Sequence, residues 1–189
     1  MTEPTRLAGW GRTTDGVAIT WTMAEGRRGR RWREVAIGDA GMTHALLLET
    51  GPDGRFSHLE VARPEGLWTF HPEPDGTLHG NAVRAGIGVR HVEGWPFGPD
   101  AVLVVEGSAI GDAAIAWHAT RTMSIGGVIE VPGVLLRTDG KLEAVDSIRI
   151  DRRSDAGWRI GDGQAFEIDP SGAPRLGGGG TVPLELGRG

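Results

Sequence analysis

The sequence contains no cysteine, no tyrosine and one lysine among its 189 residues. Without cysteine the chain can form no disulfide bond, thiolate nucleophile or cysteine-ligated zinc or iron–sulfur site. No run approaches the ~20 apolar residues that a transmembrane helix needs, so we expect no integral membrane segment. The N-terminal residues include no apolar signal core, which predicts a cytoplasmic protein.

Charge is unevenly distributed along a chain whose net charge is −5. Residues 1–33 carry seven arginines and three acids, with a basic run from Arg27 to Arg33, whereas the rest of the chain is acidic. Such a run is typical of a solvated turn, an anionic-ligand contact or a nucleic-acid site. We favour a solvated turn paired with the acidic body. We expect no nucleic-acid partner, because the chain has no second basic stripe.

Apolar and polar residues alternate with a period of two over many short segments, and glycine and proline together contribute 43 residues. Clear examples are residues 17–22, 42–50, 55–62 and 77–84. Turn signals such as Asp53-Gly54 and Asp75-Gly76 separate these segments. The pattern predicts an all-β fold, a mostly antiparallel barrel or half-open rolled sheet with one or two short helices.

Residues 108–118 are the best helix candidate. Ser108 can cap the first turn, and Ile110, Ala114 and Trp117 fall on one face of the helix. No long crossover helices are predicted elsewhere, so the sequence does not favour an α/β fold.

The domain organisation follows from the distribution of these segments. We expect residues 1–176 to form a single β-rich domain. Residues 177–189 begin with four glycines and are predicted to be a C-terminal tail. Within that tail, residues 181–186 could still dock as an edge strand.

Residues 67–97 hold three of the six histidines and two of the seven tryptophans. Tryptophan and histidine each combine an apolar body with a polar tip, which suits a pocket wall. The candidate ligand-binding residues are His71, His79, Arg90, His91, Trp68 and Trp95. Arg90 and His91 are adjacent on a predicted strand, so only one of the two can face a cavity. Two tryptophans are expected in loops at the cavity rim, Trp32 in the arginine run and Trp95 in a proline-rich segment.

Three histidines on successive strands also raise the alternative of a metal- or histidine-dependent enzyme of cupin type. Cupins carry an H-x-H pair followed closely by a glutamate, and this pattern is absent. Dinucleotide, P-loop, G-x-S-x-G and H-E-x-x-H motifs are absent as well. We therefore expect no metal, no cofactor and no catalytic residue. A further alternative is a structural or interaction protein whose tryptophans only pack.

The order of several features is similar to that in a known family. They are the early strand around Trp21, the alternating strand 55–62, the segment 88–92 with Arg90, and the closing pattern of Trp158 to Ile160 and Phe166 to Asp169. In these features the chain resembles bacterial proteins described as glycolipid-binding, formerly a domain of unknown function. The resemblance implies a curved β-sheet or barrel that holds an amphiphilic ligand.

The first function hypothesis is therefore the binding of a glycolipid or other amphiphilic small molecule in a β-barrel cavity. Arg90, His91 and His79 would be its polar contacts, and Trp68 and Trp95 its apolar or sugar-stacking surface. The sequence leaves the oligomeric state open.

Overall fold

The computed structural model of the chain describes residues 5–184, which form fifteen strands and one helix. The strands are β1 (Arg6–Arg12), β2 (Ala18–Gly26), β3 (Gly29–Gly38), β4 (Gly41–Thr50), β5 (Phe56–Arg63), β6 (Gly66–Pro72), β7 (Thr77–Arg84), β8 (Gly88–Pro96), β9 (Val102–Val105), β10 (Val128–Leu136), β11 (Leu142–Arg152), β12 (Gly157–Ile160), β13 (Phe166–Ile168), β14 (Pro174–Arg175) and β15 (Gly177–Pro183). The helix, α1 (Ala109–Ala119), lies between β9 and β10 in the chain.

The strands form two sheets, and the predicted all-β fold is confirmed. The first sheet has nine strands in the order β15-β1-β2-β3-β4-β5-β6-β7-β8, all antiparallel neighbours. The second has six strands in the order β14-β13-β12-β11-β10-β9. Its one parallel pair, β9 and β10, is the pair that α1 connects. In the described part of the chain, no helix has the length and apolar character needed to cross a membrane.

The inner face of the nine-stranded sheet carries the larger of two apolar clusters. Trp21, Trp32 and Trp68 are almost fully buried there. They pack in one cluster with Ile110 of α1 and Val134 of β10. One face of the β9–β10 pair therefore rests on the nine-stranded sheet.

The six-stranded sheet curls around α1 as a half-barrel. Alternate residues of β11 and β12, namely Ile148, Ile150 and Ile160, pack in a second cluster with Ile115 and Ala116 of the helix. The helix thus lies between the two sheets, and it joins both apolar clusters.

The structure confirms the predicted helix and its cap. Ser108 has an extended backbone, and its hydroxyl accepts a hydrogen bond from the Gly111 N–H at 3.0 Å. Ile110 and Ala114 share one face, as their spacing predicted, and pack in the cluster on the nine-stranded sheet. Trp117 was predicted on the same face, but it is only half-buried and packs against the second cluster.

The arginine run differs from its interpretation as a solvated turn. Only Arg27 and Arg28 lie in the hairpin turn, and the rest of the run begins strand β3. Trp32, expected at a cavity rim, is wholly buried because it alternates with outward arginines on this strand. Arg30 is also buried, with its guanidinium carbon 3.6 Å from the Trp117 ring centroid and Nη2 2.9 Å from Glu25.

The glycine-rich segment at the C-terminus forms edge strand β15, paired with β1. Its glycines allow a close approach, since a Cβ added at Gly179 would lie 1.8 Å from the Trp10 carbonyl oxygen. The predicted tail thus supplies a strand from 177 to 183, and residues 185–189 lie outside the described part of the chain.

Candidate functional site

The three predicted site histidines share the outer face of the nine-stranded sheet, away from the core. His71 pairs directly with His79, and Asn81, two residues further along β7, pairs with His91. His71 Nε2 lies 2.9 Å from Glu73 Oε1 at the protein surface. Within residues 5–184, no group of three or more His, Asp or Glu side chains is arranged to hold a metal ion.

The other three predicted residues lie on the opposite side of the same strands. Trp68 is 2% exposed and belongs to the core. Trp95 is half-buried against that core. Arg90, paired with Ala82, is exposed on the edge strand β8. The structure therefore does not bring the six residues together at one cavity.

Trp68 acts as a packing anchor, which two matched glycine variants can test. Gly140 has a φ of +78°, and an added Cβ would lie 2.2 Å from Trp68 Cζ2. Gly76 also follows an aspartate in a turn and has a similar φ of +82°, but no atom lies within 4 Å of an added Cβ. We expect Gly76→Ala to cost roughly 1 kcal/mol of unfolding free energy from backbone strain. Gly140→Ala should cost roughly 2 kcal/mol more, because the core must shift. Urea unfolding measures both free energies, and an equal loss of stability in the two variants would contradict the role of Trp68 as a packing anchor.

A cleft of about 700 Å³ opens where the half-barrel meets the N-terminal half of α1. Its size falls within the range of small-molecule pockets. Its apolar lining residues are Val104, Val105, Leu135, Val145, Ile148 and Ile160. Leu135 pairs with Val104 on one side and Glu143 on the other, so these residues form one row across β9, β10 and β11. The cleft therefore combines an apolar wall with a polar end.

Charged side chains surround the cleft, and most of them are paired. Arg137 bridges two lining glutamates, with Nη1 3.4 Å from Glu106 and Nη2 2.8 Å from Glu143. Arg159, also at the cleft, has Nη2 3.5 Å from Asp151. The paired arginines and carboxylates give the entrance a mixed polar character.

Unlike the paired groups, Asp112 makes no side-chain hydrogen bond or ion pair among residues 5–184. The same holds for Arg149 and Asp162 of the cleft, but these two side chains are exposed whereas Asp112 is partly buried. It lies in the first turn of α1 and lines the cleft. Burial, and then the negative charge of Glu34, raise its pKa from 3.8 to about 7. At neutral pH, much of this carboxyl is therefore protonated and can donate a hydrogen bond into the cleft.

Glu34 fixes the helix end that carries Asp112. Its side chain is fully buried, with Oε1 2.6 Å from His44 Nε2. Oε2 accepts a hydrogen bond from the Ile110 N–H at 2.9 Å. A carboxylate at a helix N-terminus is favoured by the unsatisfied N–H groups there. This contact joins β3 and β4 to the first turn of α1.

Sequence reasoning missed Glu34, although a signal was present. Trp32, Glu34 and Ala36 alternate with Arg31 and Arg33, and the tryptophan marks the inward face. Asp112 offered no comparable signal, because an acid in the first turn is usually a solvated partner of the helix dipole.

No known sequence family matches the chain, and no curated protein matches it. Among solved structures, it is similar to a DUF1089 family protein from Pseudomonas aeruginosa, with 12% sequence identity and a TM-score of 0.47. The similarity covers 94% of this chain and 92% of the other.

Proposed function

We propose that the protein binds a small amphiphilic molecule in the cleft between α1 and the half-barrel. The supporting observation is a cleft of about 700 Å³ that has an apolar wall and is also lined by Asp112, a carboxyl with no side-chain partner among residues 5–184. Val104, Leu135 and Val145 offer contact for an alkyl or other apolar part. This arrangement of an apolar lining with a few polar groups is typical of ligand sites.

The polar part of the ligand would lie against Asp112, Glu106 and Glu143. Carboxylates accept hydrogen bonds from hydroxyl groups, and a protonated carboxyl can also donate one. A hydroxyl-bearing head therefore suits this end of the cleft. A glycolipid, the ligand class that the family resemblance implies, has such a head together with an apolar tail.

Octyl β-D-glucoside, used below its critical micelle concentration, is a suitable probe because it carries a sugar head on an alkyl chain. At 100 times its dissociation constant we expect about 2.7 kcal/mol of stabilisation. For a chain of this size, that corresponds to a rise in Tm of about 5–10 °C. Glucose and 1-octanol, tested separately, should each give a smaller shift in Tm, because glucose contacts only the polar end of the cleft and octanol mainly its apolar wall.

Two valine variants localise the effect. Val145→Phe puts a bulky ring into the cleft wall. It should lower the apparent affinity for octyl glucoside, obtained from the rise in Tm, at least tenfold. Val128→Phe makes the same change at an exposed position of β10 outside the cleft and should leave the affinity unchanged. No shift in the native protein, or an equal loss in both variants, would rule out the cleft as the site.

A further inference from the structure

The outer face of the nine-stranded sheet carries a continuous apolar row. Directly paired neighbours place Trp10, Thr20, Val35, Ala45, Ala62, Leu67, Val83 and Val89 side by side across β1 to β8. Seven of these eight residues are apolar. Trp10 is 49% exposed and Val89 is 62% exposed. Soluble monomers rarely leave a contiguous apolar patch of more than a few hundred Å² open to water.

The apolar row is flanked on both sides along the strands. Ile37 and Met42, paired with each other, extend it in one direction and are about half exposed. In the other direction lies a row in which Leu47 stands between Arg33 and Glu60. The face thus has an apolar centre with a mostly polar row along one side. An apolar centre with polar surroundings is usual in protein interfaces.

We propose that this face packs against the same face of a second copy of the chain, about a two-fold axis that runs along β4. A rotation of 180° about this axis leaves the height of each residue along the strand direction unchanged. It reverses the order of the strands, so a strand on one side of β4 in one copy faces a strand on the other side of β4 in the second copy. β3 of one copy then lies over β5 of the other, and β1 lies over β7. The apolar row therefore meets the apolar row, with Trp10 near Val83 of the second copy.

The same operation brings opposite charges together. Arg33 of β3 comes near Glu60 of β5 in the second copy, and the symmetry repeats the pair. Among residues 5–184, Arg33 has no ion-pair partner, and the Glu60 carboxylate makes one ion pair, with His58 Nε2 at 3.0 Å. A two-fold interface is self-complementary in this sense, because each copy supplies both members of the pair. Two sheets packed face to face with roughly aligned strands are a common arrangement.

The area is sufficient for a dimer. Eight strands spaced about 4.8 Å apart make each row about 35 Å long, and three rows are about 20 Å wide, so the face covers roughly 700 Å². Interfaces of standard size bury roughly 600–1,000 Å² per partner. The face thus falls within the range that a second copy needs, without any contribution from the cleft.

Sedimentation equilibrium over a range of protein concentrations tests the proposal. We expect a mass of two chains at the higher concentrations, with dissociation on dilution. Val83→Glu should weaken the dimer by at least 100-fold, because it puts a charge opposite Trp10. Val128→Glu, the same change on an exposed valine of the other sheet, should leave the dimer constant unaltered. Circular dichroism confirms that each variant folds.

A charge exchange distinguishes this geometry from any other association. Arg33→Glu and Glu60→Arg should each weaken the dimer about tenfold, and the double variant should recover most of the loss. A single-chain mass at all concentrations would overturn the proposal, as would equal effects of Val83→Glu and Val128→Glu or a double variant no better than the single ones. Binding of the monomer to phosphatidylcholine vesicles, with no dimer in solution, would assign the face to lipid and would also overturn it.

Discussion

Replacing Glu34 with alanine is expected to lower the free energy of unfolding by about 3–5 kcal/mol, which is a large part of the stability of a typical domain. The substitution leaves His44 and the Ile110 N–H without their buried partner. It also removes the contact that holds the first turn of α1 against the nine-stranded sheet. Urea unfolding followed by circular dichroism measures the loss.

Two control variants separate the buried contact from the charge itself. Glu34→Gln keeps the volume and can still accept the Ile110 N–H, so it should cost less than alanine. Glu49→Ala removes a carboxylate from the outer face of the same sheet, where it pairs with the exposed Arg31. That variant should cost at most about 1 kcal/mol. If Glu34→Ala lowered the free energy of unfolding no more than Glu49→Ala, the contact of Glu34 with His44 and the Ile110 N–H would not stabilise the fold as proposed.

Replacing Asp112 with asparagine is expected to stabilise the protein at pH 8, on the order of 3 kcal/mol, rather than weaken it. The reason is that the cleft disfavours the charged carboxyl and raises its pKa to about 7. In the unfolded chain the pKa is about 3.9. Ionising Asp112 therefore costs more in the folded protein than in the unfolded one, and asparagine removes that cost.

The effect of Asp112 on the free energy of unfolding depends on pH. Below about pH 4, both states hold the proton and Asp112 has no effect on stability. Between about pH 4 and pH 7 the folded state keeps a proton that the unfolded state has lost, so stability falls as pH rises. Above about pH 7 the full penalty is present. Asp112→Asn should thus match the native protein at pH 3.5 and exceed it increasingly up to pH 8.

Asp75 provides a control of opposite sign. The Thr77 hydroxyl donates to Asp75 Oδ1 and lowers the pKa of this exposed carboxyl. Asp75→Asn should therefore give no gain in stability at pH 8. If Asp112→Asn also gave no gain there, the carboxyl would be better solvated than the cleft geometry indicates.

The fold class could be predicted from the sequence because period-two alternation and Asp-Gly turns are local signals. Helix α1 could be predicted for the same reason, since Ser108 and the spacing of Ile110 and Ala114 lie within a few residues of one another. The path of β3 could not be predicted from composition, because its arginines alternate with a buried tryptophan and a buried glutamate. The high density of arginines therefore predicted a solvated turn for a segment that forms a strand of the core.

The candidate cleft was less accessible to sequence reasoning than the fold. Its walls come from β9, β10, β11, β12 and α1, and the parallel pairing of β9 with β10 depends on long-range packing. The histidines drew attention as a cluster in the sequence, yet strand alternation directs His71, His79 and His91 to the outer face. The cleft carries none of the six residues predicted as ligand contacts.

Backbone amide shifts of 15N-labelled protein, titrated with octyl β-D-glucoside below its critical micelle concentration, test the cleft most directly. We expect the largest changes at Gly107, Asp112, Val145 and Gly161, which surround the cleft from α1, β11 and two turns. Shifts confined to β6, β7 and β8, around the histidines and Arg90, would instead place the ligand on the site predicted from the sequence and would contradict binding in the cleft.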